Sequence, residues 1–181
     1  MLNNNTSQEI SNLIKVAREG DLYAFEQVMR MYERRVFGYV MRHVNNQEDA
    51  EDITQEVFIK LYKKFDSYDP KQTFTTWLFT IATNTIYDFL RHRRGKQDLL
   101  IVDDPVQPFE TADTRDAYIG VEASVDVAQG LEKIKTVYRT VLLLYYRDEL
   151  TCEEIAAALN IPVGTVKTHL SRARKSLQEV L

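Results

Sequence analysis

Residues 151–181 read TCEEIAAALNIPVGTVKTHLSRARKSLQEVL and predict two short helices separated by a sharp turn. Thr151 and Glu154 have the spacing of a capping box, which marks the start of the first helix. Asn160 stands at the turn, and asparagine tolerates the left-handed backbone conformation better than most residues. Pro162 suits the first turn of the second helix, where its missing N–H costs little. This order of helix, tight turn and helix is typical of a helix-turn-helix.

The second of these helices has two chemically different sides when its residues are placed at about 100° per residue. Apolar side chains that should pack inward recur on one side: Val166, Leu170, Ala173 and Leu177. Candidate DNA contacts lie on the opposite side or flank the apolar stripe: Lys167, Thr168, Ser171, Arg172, Arg174 and Lys175. Hydroxyl and guanidinium groups can reach base edges in a major groove, and cations can reach phosphates. The alternative is a surface helix with a solvated basic side, but the preceding helix and turn favour DNA binding.

The charge of the chain is unevenly distributed. The 181 residues carry a net charge of −4, which by itself argues against a nucleic-acid partner. Residues 96–125 contain two basic and seven acidic side chains, a net charge of −5, which leaves about +1 for the rest of the chain. Basic residues cluster within 91–96 and 167–175. Two local basic patches joined by an acidic segment can bind DNA despite an acidic average.

Helical spacing of apolar residues recurs along the chain, whereas strand-like alternation is scarce. Helices are expected near 8–19, 21–44, 47–64, 73–93, 126–134, 137–147, 151–159 and 163–180. The acidic stretch lacks clear periodicity and contains two prolines, so it is interpreted as a linker. The predicted fold is all-α, with two small helical domains at 1–95 and 126–181 joined by the acidic linker 96–125.

Location and broad class follow from what the sequence lacks. No apolar run approaches the ~20 residues that span a bilayer, and residues 1–8 have no secretory-signal pattern. Cys152 is the only cysteine, which excludes an intrachain disulfide and a cysteine metal cluster. We therefore expect a cytoplasmic protein without a cofactor.

The predicted helix at 47–64 has a charged side opposite an apolar stripe. Its acidic residues precede its lysines, as the helix dipole favours. A solvated face is one interpretation, and a docking face for a partner helix is another. The spacing of Glu48, Asp52 and Glu56 also suggests a metal site, but no histidine accompanies them, and dipole pairing explains the acids.

The predicted helix at 73–93 carries threonines in a narrow stripe opposite Trp77 and other apolar residues. Threonine is a poor helix former, so a stripe of threonines suggests hydrogen bonding to another molecule. The basic end of this helix could hold phosphates, and the aromatics Phe65, Tyr68 and Phe74 could line a pocket for an unstacked base. The alternative is that these aromatics belong to the core and that the threonines are merely exposed. For Trp77 a place in the core is preferred.

Three segments occur in order: DAEDITQEVFIKLYKKF, TFTTWLFTIATNTIYDFLR and ELTCEEIAAALNIPVGTVKTHLSRAR. Together they resemble the extracytoplasmic-function (ECF) sigma factors of bacteria, which contain sigma regions two and four joined by a linker. The resemblance covers about residues 10–95 and 125–181. It departs from the commonest family pattern at GLEKIKTVYRT, where the family often has Leu-Pro.

The resemblance implies an alternative sigma factor that binds core RNA polymerase and directs promoter-specific initiation. The first segment resembles the face that docks on the clamp coiled coil of the β′ subunit, which implies polymerase contacts at Asp52, Gln55, Glu56 and Ile59. The second resembles the reader of the −10 element as single-stranded DNA, with Asn84 near a flipped-out base. The implied −10 contacts are Phe74, Thr76, Thr83, Asn84, Tyr87, Arg91 and Arg93. The C-terminal helix-turn-helix resembles the reader of the −35 duplex, and Arg172 is its foremost contact.

The implied partners are core polymerase, through the β′ clamp coiled coil and the β flap, promoter DNA, and an anti-sigma factor. No small-molecule substrate is implied. Two other functions compete with this interpretation. A helix-turn-helix regulator that binds operators would need a sensor or dimer domain in place of the N-terminal helices. An enzyme acting on nucleic acid would need a nucleophile–base pair, a phosphate loop or a metal cluster, and none is evident.

Overall fold

The computed structural model describes residues 4–94 and 125–181, and these residues form eight α-helices and no strand. The helices are α1 (Asn4–Arg18), α2 (Leu22–Val44), α3 (Gln47–Lys63), α4 (Phe74–Arg94), α5 (Val125–Lys133), α6 (Thr136–Leu142), α7 (Cys152–Leu159) and α8 (Val163–Gln178). The predicted all-α fold is confirmed, with helix bounds within a few residues of those expected. Nearly all of the predicted linker, 96–124, lies outside the described residues.

Helices α1–α4 form the N-terminal bundle, and local capping fixes where its helices begin and end. The Asp21 carboxylate accepts a hydrogen bond from the Ala24 N–H at 2.9 Å and caps α2. Asn45 ends that helix in the left-handed conformation, with φ of 51°. Asn46 then caps α3 by accepting a bond from the Asp49 N–H at 2.9 Å. The two asparagines therefore separate α2 from α3, as the sequence predicts.

An aromatic cluster closes one end of the N-terminal bundle. A short 3₁₀ turn, Phe65–Ser67, follows α3 and places Phe65 against Phe25, with ring centroids 5.0 Å apart. Trp77 packs against Tyr68 and Phe74 at 5.1 and 5.9 Å. All of these rings are buried. Trp77 is therefore a core residue, as preferred from the sequence, and the rings around it form a wall rather than an open stacking surface.

Helices α5–α8 form the C-terminal bundle, which contains the predicted helix-turn-helix. Thr151 and Glu154 make both bonds of the capping box, and Asn160 adopts the left-handed conformation with φ of 53°. The predicted inner stripe of α8 is buried at Val166, Leu170, Ala173 and Leu177. Pro162 lies directly before α8, at the N-cap, rather than inside its first turn. The predicted helix at 137–147 is α6 followed by a π-helical turn, Leu143–Arg147.

The two bundles pack against each other. Helix α7 crosses α4, and α5 and α6 lie against α2. Helix α4 is consequently covered on two sides, by α2 and α3 of its own bundle and by α7 of the other. This explains why α4 buries threonines as well as aliphatic side chains.

Candidate nucleic-acid interface

The outer face of α8 presents the predicted duplex contacts to solvent. Lys167, Ser171 and Lys175 are exposed, and Thr168, Arg172 and Arg174 are partly exposed. The Thr168 hydroxyl donates to the Gly164 carbonyl at 2.9 Å. Space around Gly164 is open, since no heavy atom lies within 4 Å of where its Cβ would stand. The first turn of α8 is therefore open on the side of Gly164.

Arg174 differs from the other cations of α8 because it is held toward its own bundle. Its Nε donates to the Tyr146 hydroxyl at 2.7 Å, and its guanidinium lies 5.6 Å from the centroid of that ring. Both contacts orient the side chain along the bundle surface. Arg174 is thus held against Tyr146 of its own bundle.

The predicted −10 contacts on α4 divide into exposed and buried residues. Asn84, Arg91 and Arg93 are exposed near the C-terminal half of the helix. Arg91 is paired with Asp88 at 3.2 Å, and Arg93 forms an ion pair with Asp49 of α3. The buried contacts are Phe74, Thr76, Thr83 and Tyr87. The idea that the threonines are merely exposed is wrong for Thr76 and Thr83, because other helices cover them.

Glu154 of α7 covers the N-terminal end of α4. Its Oε1 accepts hydrogen bonds from the hydroxyls of Thr73 and Thr76 at 2.9 and 3.2 Å. Its Oε2 accepts the Thr151 N–H of the capping box at 2.9 Å. Burial favours the protonated acid, but these hydrogen bonds outweigh burial and lower the pKa of Glu154. The carboxylate is therefore ionised at neutral pH.

A chain of hydrogen bonds joins the middle of α4 to α6 and α2. The Tyr87 hydroxyl donates to Thr140 Oγ1 at 2.9 Å, and Thr140 Oγ1 lies 3.0 Å from His43 Nε2. His43 Nδ1 lies 2.9 Å from the Tyr39 carbonyl, which can only accept a proton. Burial lowers the pKa of His43 to about 3, so the ring is neutral. The proton is therefore on Nδ1, which leaves Nε2 as an acceptor, and the single Thr140 hydroxyl proton lies between Nε2 and the Thr136 carbonyl, 2.9 Å away in the same helix.

Charged side chains meet where α2 contacts the π-helical turn. Arg35 Nη2 donates to the Asp148 carbonyl at 3.1 Å and lies 3.5 Å from its carboxylate. Burial raises the pKa of Asp148 to about 6, although Arg35, Arg147 and Arg42 oppose that shift. Arg139 Nη1 donates to the carbonyls of Arg42 and His43 at 3.1 and 3.3 Å. Arg35 of α2 and Arg139 of α6 thus form hydrogen bonds between the two bundles.

The charged side of α3 is a further candidate surface. Asp52, Gln55, Glu56 and Ile59 are all exposed, as a docking face requires. Glu56 pairs with Lys60 at 2.7 Å. An apolar groove of about 820 Å³ runs beside this face between α2 and α3, and Phe37, Phe58 and Tyr62 line it. Among the described residues no group of acidic, histidine or cysteine side chains could hold a metal ion.

Sequence reasoning missed the contacts between the bundles. Glu154 was recognised only as a capping residue, and Thr140, Asp148 and Arg147 were not singled out. A capping box accounts fully for a glutamate at that position, so its second role leaves no sequence signal. None of the described helices has the length and apolar character needed to cross a membrane.

Two family models match the chain, one in each of its helical bundles. Residues 28–96 match the Sigma-70 region 2 family, and residues 124–177 match the Sigma-70 region 4 family. The ECF RNA polymerase sigma factor SigW of Bacillus subtilis is 38% identical over 95% of this chain and 96% of its own length. The ECF RNA polymerase sigma-E factor of Escherichia coli K12 is 30% identical over 94% of each chain.

Two solved structures share the fold over most of their length. CnrH, solved in complex with the cytosolic domain of CnrY, has a TM-score of 0.70 and 24% identity, with 94% of this chain and 96% of that chain covered. RpoE from Bartonella quintana, solved with the anti-sigma factor NepR, has a TM-score of 0.66 and 26% identity, with 86% and 95% covered. The two region matches span more than half of the chain, and the relatives span nearly all of it. The chain therefore belongs to the ECF family of RNA polymerase sigma factors.

Proposed function

We propose that this sigma factor binds core polymerase through α3, reads the −10 strand through α4 and reads the −35 duplex through α8. As a member of its family the chain is an alternative sigma factor for promoter-specific transcription and is not an enzyme. The proposal assigns each of these three roles to particular residues. The observation that carries it is the basic outer face of α8, built on a complete helix-turn-helix.

Helix α8 would lie in the major groove of the −35 element. Lys167, Ser171 and Arg172 project from its outer face, and such side chains can reach base edges and phosphates. Arg174 and Lys175 would bind the flanking backbone, while Thr168, whose hydroxyl is already bonded within the helix, would contact the groove through its methyl group.

Helix α4 would read the −10 element after the strands separate. Strand opening needs protein groups that favour unstacked bases and so offset the few kcal/mol of unstacking. Asn84 is exposed for this purpose, with Arg91 and Arg93 placed for phosphates of the same strand. Phe74, Thr76, Thr83 and Tyr87 would complete the site. In the structure these four residues are covered, Thr76 by Glu154 of α7, Tyr87 by Thr140 of α6, and Phe74 and Thr83 by α2.

Helix α3 would bind core polymerase through Asp52, Gln55, Glu56 and Ile59, on the β′ clamp coiled coil. The exposed half of the Ile59 side chain beside three polar groups supports a protein partner, because an apolar center with a polar rim is the usual anatomy of an interface. The C-terminal bundle would contact the β flap. We place the domain boundaries at 1–95, 96–125 and 126–181, and the site of action in the cytoplasm.

An anti-sigma factor is proposed as a regulatory partner. The solved structure of RpoE from Bartonella quintana is that of a sigma factor in complex with the anti-sigma factor NepR. The apolar groove between α2 and α3 supports a partner helix on this chain as well.

The deciding experiment is transcription in vitro with core polymerase that lacks sigma. Sheared genomic DNA from the source organism serves as template, and the 5′ ends of the transcripts are mapped. We expect initiation at a limited set of sites that share upstream −10 and −35 sequences. Absence of both specific initiation and core binding would refute the proposal, whereas duplex binding alone would indicate an operator-binding regulator.

A further inference from the structure

Lys60 of α3 is a charged residue beside the proposed −10 reader, and none of the roles proposed above uses it. Its Nζ donates to Thr85 Oγ1 of α4 at 3.3 Å, and Thr85 directly follows Asn84. We infer that Lys60 belongs to the −10 site, where its ammonium binds a phosphate of the single strand next to the base that Asn84 contacts, and that Thr85 positions this ammonium. The inference rests on the proposed function, because it needs a −10 strand on α4.

The ammonium of Lys60 reaches the exposed stripe of α4 from the side of α3. Asn84, Asp88 and Arg91 are exposed and recur at spacings of four and three residues, so they share one face of the helix. Thr85 lies about 100° around the helix from Asn84, on the side toward α3. A single strand that crosses Asn84 would therefore have Lys60 at its edge.

Thr85 fixes the direction of the lysine side chain. It is only 1% exposed, and its hydroxyl donates to the Ile81 carbonyl at 2.9 Å. Because this proton is used inside α4, the Thr85 oxygen is left as an acceptor, which suits an ammonium group. One of the three donors of Lys60 is thus committed to α4, and the long side chain is held at the border of the two helices.

The other partner of Lys60 is exchangeable. Glu56 Oε1 lies 2.7 Å from the ammonium, one helical turn earlier in α3. The side chains of Glu56 and Lys60 are 54% and 33% exposed, and an ion pair so open to water contributes little to stability. A phosphate oxygen can therefore replace this carboxylate. Glu56 also belongs to the proposed docking face, so polymerase bound there would leave the ammonium to the strand.

Lys60 adds a third cation to the two arginines already proposed for the backbone of the −10 strand. Each of the three is ion-paired in the unbound chain: Lys60 with Glu56, Arg91 with Asp88, and Arg93 with Asp49. Arg93 lies near the end of α4, whereas Lys60 meets the middle of that helix. Cations distributed along the helix axis, rather than gathered at one point, match the repeating charges of a nucleic-acid strand.

The direct test is the salt dependence of strand binding by the holoenzyme. Core polymerase is assembled with saturating amounts of each variant chain, and the probe is the labelled non-template-strand oligonucleotide of a promoter mapped by the transcription experiment. Lys60→Met keeps an unbranched side chain and removes the charge. We expect it to lower affinity roughly threefold to tenfold. It should also reduce the slope of log affinity against log salt by about 0.7, the value for one phosphate of a single strand.

Two further lysine variants separate charge from structure. Lys60→Arg keeps the charge and should retain the slope of the unchanged chain. Lys133→Met, at an exposed position of α5, is the matched control and should change neither affinity nor slope. An unchanged slope for Lys60→Met would show that Lys60 only supports α3 through Glu56, and the inference would be wrong. It would also be wrong if Lys60→Met abolished core binding in a pull-down, because Lys60 would then belong to the docking face.

Thr85→Val tests the positioning role. Valine keeps the shape of threonine but removes the oxygen that accepts the ammonium. We expect a roughly twofold to threefold lower affinity with an unchanged slope, because the charge of Lys60 remains. In the Lys60→Met background the same substitution should have no further effect. An equal loss in both backgrounds would mean that Thr85 acts through α4 alone, and its positioning role would be refuted.

The inference and the proposed function fail in different ways. If the Lys60→Met holoenzyme binds the strand as the unchanged one does, Lys60 leaves the site and the sigma function stands. If the unchanged chain with core polymerase neither initiates at specific sites nor prefers the non-template strand over the template strand, the proposed function fails.

Discussion

Thr140 Oγ1 and His43 Nε2 are hydrogen-bonded at 3.0 Å, which ties α6 of one bundle to α2 of the other. Thr140 is fully buried, and the same oxygen accepts the Tyr87 hydroxyl. The bonds of Thr140 to His43 Nε2 and to the Tyr87 hydroxyl therefore exist only while the bundles are together, whereas the Thr140 hydroxyl also bonds the Thr136 carbonyl of its own helix at 2.9 Å.

Replacement of Thr140 by valine should lower the free energy of unfolding by about 1–3 kcal/mol. The shape is kept, but His43 Nε2 and the Tyr87 hydroxyl both lose their partner in a buried place. Urea denaturation followed by circular dichroism measures the change. Thr80→Val is the control, because the Thr80 hydroxyl bonds the carbonyl of Thr76 in its own helix. Equal effects of the two variants would contradict this assignment.

Asp148 should make the stability of the folded protein depend on pH. Arg35 and Arg42 from α2 and the neighbouring Arg147 face its carboxyl, and Tyr39 is near. Its folded pKa of about 6 lies above the unfolded value of 3.8, so the folded state holds the proton more tightly. Its contribution to stability is therefore complete below about pH 4 and is lost as pH rises through about 6.

Asp148→Asn tests this sign because asparagine resembles the protonated acid. Relative to the unchanged protein, the variant should gain on the order of 1–3 kcal/mol of unfolding free energy between pH 4.5 and 7.5. His43 also makes the free energy of unfolding depend on pH, in the opposite direction, because its pKa is lowered. Both proteins contain His43, so its contribution cancels in the difference between their unfolding free energies. A difference that stays constant over this range would show that Asp148 does not titrate there.

Asn84→Ala should impair promoter opening while core binding is unchanged. Loss of one base contact in a single-stranded site is worth about 1–3 kcal/mol, so opening should fall by about tenfold or more. Permanganate reactivity of unpaired thymines reports opening, and a pull-down with core polymerase reports binding. Asn12→Ala, at an exposed position of α1, is the matched control. A loss of core binding by Asn84→Ala would overturn its role.

Arg172→Ala should weaken discrimination at one or two −35 base pairs by about 1–3 kcal/mol. Lys175→Ala should instead weaken binding to all sequences and reduce its salt dependence, since a phosphate contact carries no sequence information. Affinities for a set of single-base −35 variants at two salt concentrations separate the two effects. If Arg172→Ala lowers affinity equally for every sequence, Arg172 contacts a phosphate.

The helix-turn-helix could be predicted in detail because its determinants are local. The capping box, the left-handed Asn160 and the inner stripe of α8 each depend on residues a few positions apart. The threonine stripe of α4 was interpreted as a sign of hydrogen bonding to some partner. In the structure Thr76 bonds Glu154 of the other bundle, whereas Thr83 bonds Tyr39 of its own bundle and Thr80 a carbonyl of its own helix. The contact with Glu154 depends on side chains that lie far apart in the sequence.

The contact between Gly38 and Arg147 gives the clearest example of what sequence patterns cannot predict. A glycine inside a helix normally indicates only a small loss of stability. Its meaning here depends on an arginine 109 residues later that packs where a side chain would otherwise stand. Such a pairing becomes visible only when both bundles are placed together.

The two oxygens of Glu154 have separate tasks. Oε2 holds the Thr151 N–H within the helix-turn-helix, and only Oε1 reaches across to α4. Departure of the C-terminal bundle therefore breaks the bonds of one oxygen and leaves the start of α7 fully capped. If the two bundles separated, the helix-turn-helix would therefore keep its fold, and the proposed reader of the −35 element would need no refolding step.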